Sequence, residues 1–207
     1  MVLDFILTTG YANTYNIGTF SRNFSLNTWA FQFAGQVASA PLTSMMSTLA
    51  GSFLIIIPLL VLYLYFKRDM NAYSLVIIGV LLYVIAEIIK LVMQEPRPCS
   101  IQGEISWLAN PVSCESGFSF PSAHASVLTG LALFTKGYKY IRVAYIAWLF
   151  LVLFGRVYLG AHYFTDVIAG VVLSVVVTYV VSRYSSVINR TANNIIRAII
   201  PRAAITK

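Results

Sequence analysis

The sequence predicts an all-α integral membrane bundle of five, alternatively six, transmembrane helices, with an interfacial amphipathic helix at the N terminus. Three observations lead there. Of 207 residues, 58% are hydrophobic and only 10% are charged, whereas a soluble domain of this size carries about 25% charged residues to face water. The mean hydropathy is +0.78. The apolar residues also run in long stretches that stop at basic residues. Each crossing takes about 20 apolar residues, so the length allows about five or six crossings and no second domain. The net charge of +7 is not gathered into a basic stripe on a polar surface, and no nucleic-acid motif accompanies it. The expected large partner is therefore the lipid bilayer, with no nucleic acid, and the sequence sets no oligomeric state.

The segments follow in order within a single membrane domain, residues 1–207. Residues 1–42 are assigned to an interfacial segment, because Asn27–Ala40 places Trp29, Phe33 and Val37 at i, i+4 and i+8. No signal-peptide pattern is visible, so the N terminus is expected to be retained. Residues 43–66 carry no charge and stop at Lys67, Arg68 and Asp69, which reads as a first membrane helix, with Pro58 a candidate kink. Residues 72–93 form a second, with Glu87 and Lys90 in its last turns. Residues 94–120 are too polar for hydrocarbon and form the one long loop. Helices over 122–136, 140–158 and 162–182 complete the transmembrane core, 43–182. They are separated by a basic turn (Lys136, Lys139, Arg142) and a tight turn around Gly160. Residues 183–207, where Ile195, Ile196, Ile199 and Ile200 alternate with basic residues, are expected to be a cytoplasmic tail along the inner headgroups.

With five helices, ten of the 14 Lys and Arg residues fall on one face: Lys67, Arg68, Lys136, Lys139, Arg142, Arg183, Arg190, Arg197, Arg202 and Lys207. Basic residues in short loops mark the cytoplasmic side. The 94–120 loop and the Gly160 turn are thus expected outside the cytoplasm of a plasma-membrane protein. Cys99 and Cys114 lie in that loop, where oxidising conditions permit a disulfide. A bridge there would contribute about 3 kcal/mol in the chain-entropy model, and two unpaired thiols remain the alternative.

A charge held in the bilayer costs about 2.5–3.5 kcal/mol, so each one needs a reason. Lys90 ends one span, Arg97 opens the outer loop, His124 opens the third helix, Arg156 ends the fourth, and His162 and Asp166 open the fifth. All lie near one membrane face. Three cations beside a helix that starts Pro121-Ser122-Ala123-His124 describe an anion site suited to a phosphoryl group, in which the Ser122 hydroxyl and nearby backbone amides add donors. Singly, each has a bland reading: Lys90 can pair with Glu87, and Arg156 can reach the interface. Those readings do not explain the convergence. His162 and Asp166, at i and i+4, are expected to meet on one helix face. The carboxylate would accept from Nδ1–H and leave Nε2 as an oriented nucleophile, with His124 free to act as general acid.

The segments Lys90-x6-Arg97-Pro98, Pro121-Ser122-Ala123-His124 and Arg156-x5-His162-x3-Asp166 resemble the three-part signature of the type 2 phosphatidic acid phosphatase superfamily, in order and in spacing, over about residues 87–170. The family usually has Gly where this chain has Ala123, and Ser where it has Gly155. The resemblance implies a lipid phosphatase that needs neither metal nor cofactor and forms a phosphohistidine. His162 would attack, Asp166 would orient it, His124 would protonate the leaving group, and Lys90, Arg97, Ser122, Ala123 and Arg156 would hold the phosphoryl oxygens. Together with the outward orientation it points to undecaprenyl or dolichyl diphosphate as substrate. Phosphatidylglycerophosphate or phosphatidate is the alternative. A phosphotransferase, a non-enzymatic phosphate transporter and a bis-histidine haem protein are the more remote readings.

Overall fold

The computed structural model describes residues 21, 24–67, 71–101, 105, 107, 108, 114–134 and 139–199. Residues 1–20, the basic residues Arg22, Arg68, Lys136, Arg202 and Lys207, and the tail beyond 199 lie outside the described residues. Among those described, the chain forms seven α-helices and no strand: α1 (Ser25–Val37), α2 (Ala40–Gly51), α3 (Phe53–Phe66), α4 (Asn71–Met93), α5 (Ala123–Phe134), α6 (Lys139–Tyr158) and α7 (Phe164–Ile199). A short 3-10 turn, Pro98–Ser100, interrupts the loop between α4 and α5.

Among the described residues, three helical stretches are long and apolar enough to cross a membrane: Leu75–Met93, Lys139–Tyr158 and Phe164–Tyr184. The pair α2 and α3, bent by 42° at its break, makes a fourth if taken as one span. α5 is apolar but has only 12 residues, a length of about 18 Å against a hydrocarbon core of about 30 Å. Large apolar side chains stand exposed around the bundle, among them Leu54, Phe66, Val92 and Phe150. Water would penalise such a surface, and lipid accepts it. Inside, Leu75, Ile78 and Leu82 of α4 pack with Leu128 and Leu131 of α5, Val152 of α6 and Val181 of α7.

Several boundaries differ from the sequence reading, each for a local reason. Pro58, the candidate kink, lies inside the continuous helix α3, and the break in the span falls six residues earlier, at Ser52. There the Ser52 hydroxyl donates to the Leu49 carbonyl at 2.7 Å and accepts from Trp148 Nε1–H at 2.9 Å. Side-chain bonds thus take over where the helix ladder stops. The expected first helix starts at Ala40 instead of residue 43, because Ser39 caps it by accepting from the Leu42 N–H and Pro41 occupies its first turn. α7 does not end at 182 but runs to Ile199, so the tail, expected as a separate segment, begins as a continuation of the last helix. The N-terminal helix spans Ser25–Val37, with Trp29, Phe33 and Val37 exposed and Asn27, Ala30, Phe31 and Ala34 buried against the bundle.

Candidate active site

Four helix ends and the loop between α4 and α5 bring the ionisable residues to one end of the bundle. Lys90 sits in the last turn of α4. Beyond it the backbone turns at Gln94, whose φ is 50°, and runs extended through Arg97, flanked by Pro96 and Pro98. The Cys99 N–H donates to the Gly160 carbonyl at 2.8 Å, fixing this strip against the turn between α6 and α7. That turn needs glycine: Gly160 has φ +67°, and a Cβ there would stand 2.6 Å from Ile105 Cγ2. The turn folds back on itself, because the N–H groups of Ala161 and His162 both donate to the Arg156 carbonyl, at 3.1 and 3.2 Å. His162 is thereby set beside Arg156.

His162 is buried, and its environment corrects the sequence reading. Its Nδ1 lies 2.8 Å from the Ser119 carbonyl. A carbonyl only accepts, so the proton sits on Nδ1 and Nε2 is the unprotonated nitrogen. The Asp166 carboxylate, expected in that role, is 3.5 Å from Nδ1. His162 precedes α7 instead of lying on it, so the i, i+4 geometry of a helix does not apply. Asp166 instead accepts from the Tyr163 N–H at 2.9 Å, closing the first turn of α7 as a capping-box acid does. Nε2 lies 3.4 Å from Arg97 Nη1, and the same Nη1 donates to the Ala161 carbonyl at 2.9 Å. Burial, then the charges of Arg156 and Arg97, push the His162 pKa well below its ordinary value, so the imidazole is neutral at neutral pH.

The remaining predicted residues lie at the same end of the bundle. Arg156, 2% exposed, grips Glu115 with both terminal nitrogens, at 2.7 and 2.5 Å. Arg97 lies 3.3 Å from the same carboxylate. Lys90 is within electrostatic reach of His124 and His162, while its Nζ pairs with Glu87 at 2.7 Å. His124 stacks edge-on against Phe53, centroids 4.5 Å apart, and its buried Nε2 has no hydrogen-bond partner among the described residues. Ser122 is fully buried, and its hydroxyl accepts from the Ala125 N–H at 3.3 Å, capping α5 while keeping its own hydrogen to donate. Ala123 begins α5, where N–H groups lack helical partners. Gly155 packs against Met46 of α2, 3.4 Å from where a Cβ would stand to Met46 Sδ. Cys99 and Cys114 form a disulfide.

Four site residues were not anticipated: Ser21, Glu95, Glu115 and Ser119. The Ser21 N–H donates to Glu95 Oε1 at 2.6 Å, and its hydroxyl lies 2.9 Å from Glu95 Oε2 and 2.8 Å from Asp166 Oδ1. Residue 21 thus ties the N-terminal segment, expected only as an interfacial segment, to two buried carboxylates. Glu95, next to Arg97 in a Pro-rich strip, and Glu115, next to Cys114, carried a readable signal. Ser119 acts through its backbone, and nothing in a side-chain pattern marks that.

A family model described as the PAP2 superfamily matches residues 70–190. An undecaprenyl-diphosphatase of Sulfolobus acidocaldarius is 31% identical over 154 residues, which cover 72% of this chain and 73% of that protein. Two crystal structures share the fold. Aquifex aeolicus LpxE superposes with a TM-score of 0.63 at 21% identity, covering 78% of this chain and 98% of that one. A transmembrane PAP2-type phosphatidylglycerolphosphate phosphatase from Bacillus subtilis superposes with a TM-score of 0.59 at 20% identity, covering 89% and 94%.

Proposed function

The chain belongs to the PAP2 superfamily and is a membrane lipid phosphatase, and from that premise we propose that it hydrolyses a polyprenyl diphosphate, undecaprenyl or dolichyl, to the monophosphate and inorganic phosphate. The name carried by the Sulfolobus acidocaldarius relative supports this substrate class. So does the charge pattern of the sequence: in a five-crossing topology ten of the 14 basic residues would share one face, which by the positive-inside rule would set the site on the outer side of the plasma membrane and leave the C terminus cytoplasmic. Five crossings, with α1 lying in the interface, are the topology consistent with that charge asymmetry.

One observation carries the chemistry: a buried imidazole whose Nδ1 lies 2.8 Å from the Ser119 carbonyl, which can only accept, while Nε2 faces Arg97 at 3.4 Å. His162 Nε2 attacks the terminal phosphorus, and the N–P bond forms as the bond to the bridging oxygen breaks. His124, which takes up a proton as the phosphate anion enters beside it, gives that proton to the bridging oxygen, and the polyprenyl monophosphate leaves. Positive charge builds on the His162 ring, 3.5 Å from the Asp166 carboxylate, which stabilises it across that gap. Arg97, Arg156 and Lys90, with the first amides of α5 and the Ser122 hydroxyl, hold the equatorial oxygens. A water then gives its proton to His124 and its oxygen to phosphorus, the N–P bond breaks, and inorganic phosphate departs. These fixed cations supply the charge stabilisation, so the proposed reaction uses no metal.

Purified protein in detergent and EDTA should release phosphate from polyprenyl diphosphates faster than from phosphatidate or phosphatidylglycerophosphate. His162→Ala should lose several orders of magnitude in turnover. Full activity in that variant would end the mechanism, and a preference for glycerolipid phosphates would replace the substrate.

A further inference from the structure

Glu115 is bound to the two guanidiniums that the proposed function assigns to the substrate's phosphoryl oxygens. Its carboxylate accepts from Arg156 Nη1 at 2.7 Å and Nη2 at 2.5 Å, with Arg97 Nη1 3.3 Å away. That planar two-point grip is also how a guanidinium holds phosphate. The Glu115 side chain is 46% exposed while that of Arg156 is 2% exposed, so the carboxylate reaches in from the open side and can leave the same way. A cavity of about 230 Å³, lined by Ala50, Gly51, Phe53, Cys99 and Arg156 among others, lies beside it and gives it somewhere to go. It cannot go far. Cys114, the preceding residue, is bonded to Cys99, and Cys99 is tied to the Gly160 carbonyl at 2.8 Å.

We infer that Glu115 is a specificity-determining residue, an internal anion that holds the two guanidiniums until a group of greater charge displaces it, so that phosphodiester headgroups are kept out of the site. The inference rests on the phosphatase reading above. A site open to the bilayer faces a large excess of diester lipids, each bearing a single negative charge on phosphorus. A terminal phosphoryl group carries about −1.5 to −2 at neutral pH. A tethered carboxylate matches the diester in charge and surrenders no translational freedom on binding, so it wins against the diester and loses to the terminal phosphoryl group. Glu115 is ionised for this purpose: burial alone would raise its pKa, but the Arg156 hydrogen bonds and the Arg156 and Arg97 charges pull it down to about 2.

The test compares wild type, Glu115→Gln and Glu115→Asp, each with the disulfide intact, on a polyprenyl diphosphate in mixed micelles with added phosphatidylglycerol or inorganic phosphate. Gln keeps the shape and removes the charge. In Glu115→Gln the KM and the inhibition constant of inorganic phosphate should both fall by about threefold or more, the scale of a partly exposed ion pair. Phosphatidylglycerol should inhibit Glu115→Gln and leave wild type and Glu115→Asp unaffected. A KM unchanged or raised in Glu115→Gln, or equal phosphatidylglycerol inhibition of wild type and Glu115→Gln, overturns the inference and leaves the phosphatase reading standing. Absence of phosphate release from the wild-type enzyme sinks that reading itself.

Discussion

Protonation of single residues sets the pH range over which this site is stable and armed. Glu115 titrates at about 2 in the folded protein against an ordinary 4.5. A depressed carboxylate pKa means that the unfolded chain binds the proton more readily, so the stabilisation is fully present above about pH 4.5 and is lost as pH falls toward 2. The His162 pKa is lowered, so protonation of the unfolded chain's imidazole also erodes stability as pH falls below about 6.5. Thermal unfolding in detergent across this range should show wild type losing more stability than Glu115→Gln below pH 4.5; identical curves would remove the ion pair from the stability account. At this scale the sequence was readable where side chains act through fixed spacings, as with Lys90, Arg97, His124, Arg156, His162 and Asp166. It was unreadable where the backbone acts. The group that holds Nδ1–H is the Ser119 carbonyl, and every residue owns one of those. Asp166 was correctly placed beside His162 yet given the wrong bond, because the capping need of α7 claims its carboxylate first.

The helices α5 and α7 carry opposite halves of the site and have to approach closely. Gly170 makes the approach: a Cβ at that position would stand 2.6 Å from the Ser122 carbonyl oxygen and 2.8 Å from Ala125 Cβ. The first of these neighbours is backbone and cannot swing aside. Gly170→Ala should therefore separate the two helix starts, cost about 1–3 kcal/mol as overpacking does, and depress phosphatase activity because Ser122 and His124 shift relative to Asp166. Detergent thermal unfolding together with turnover measures both effects, and wild-type values for the two would refute the close-packing account. Among the elements, α4 and α6 were legible because long apolar runs bounded by polar residues have one physical solution in lipid. The break at Ser52 was not, since it depends on Trp148, 96 residues away. The overrun of α7 to Ile199 was missed because the helix leaves the apolar composition behind while its backbone continues.

Across the whole molecule, the topology turns scattered charges into one site. Each of Lys90, His124, Arg156 and Asp166 lies within a turn of a helix end at the same pole of the bundle, and the Cys99–Cys114 disulfide with the Gly160 turn closes the loop segments over them. This convergence could be anticipated from hydropathy alone, because the number of crossings between two residues fixes whether they share a face. The role of the N-terminal segment could not, since Ser21 reaches Glu95 and Asp166 through contacts 74 and 145 residues apart in sequence. The account stands or falls on covalent chemistry at His162. A polyprenyl diphosphate labelled with ³²P in its terminal phosphate should be mixed with the wild-type enzyme, quenched in base within the first turnover, and the labelled peptide mapped. The account predicts base-stable, acid-labile label on the peptide containing His162. Label on another residue, or a burst of polyprenyl monophosphate with no label on the protein, would contradict it.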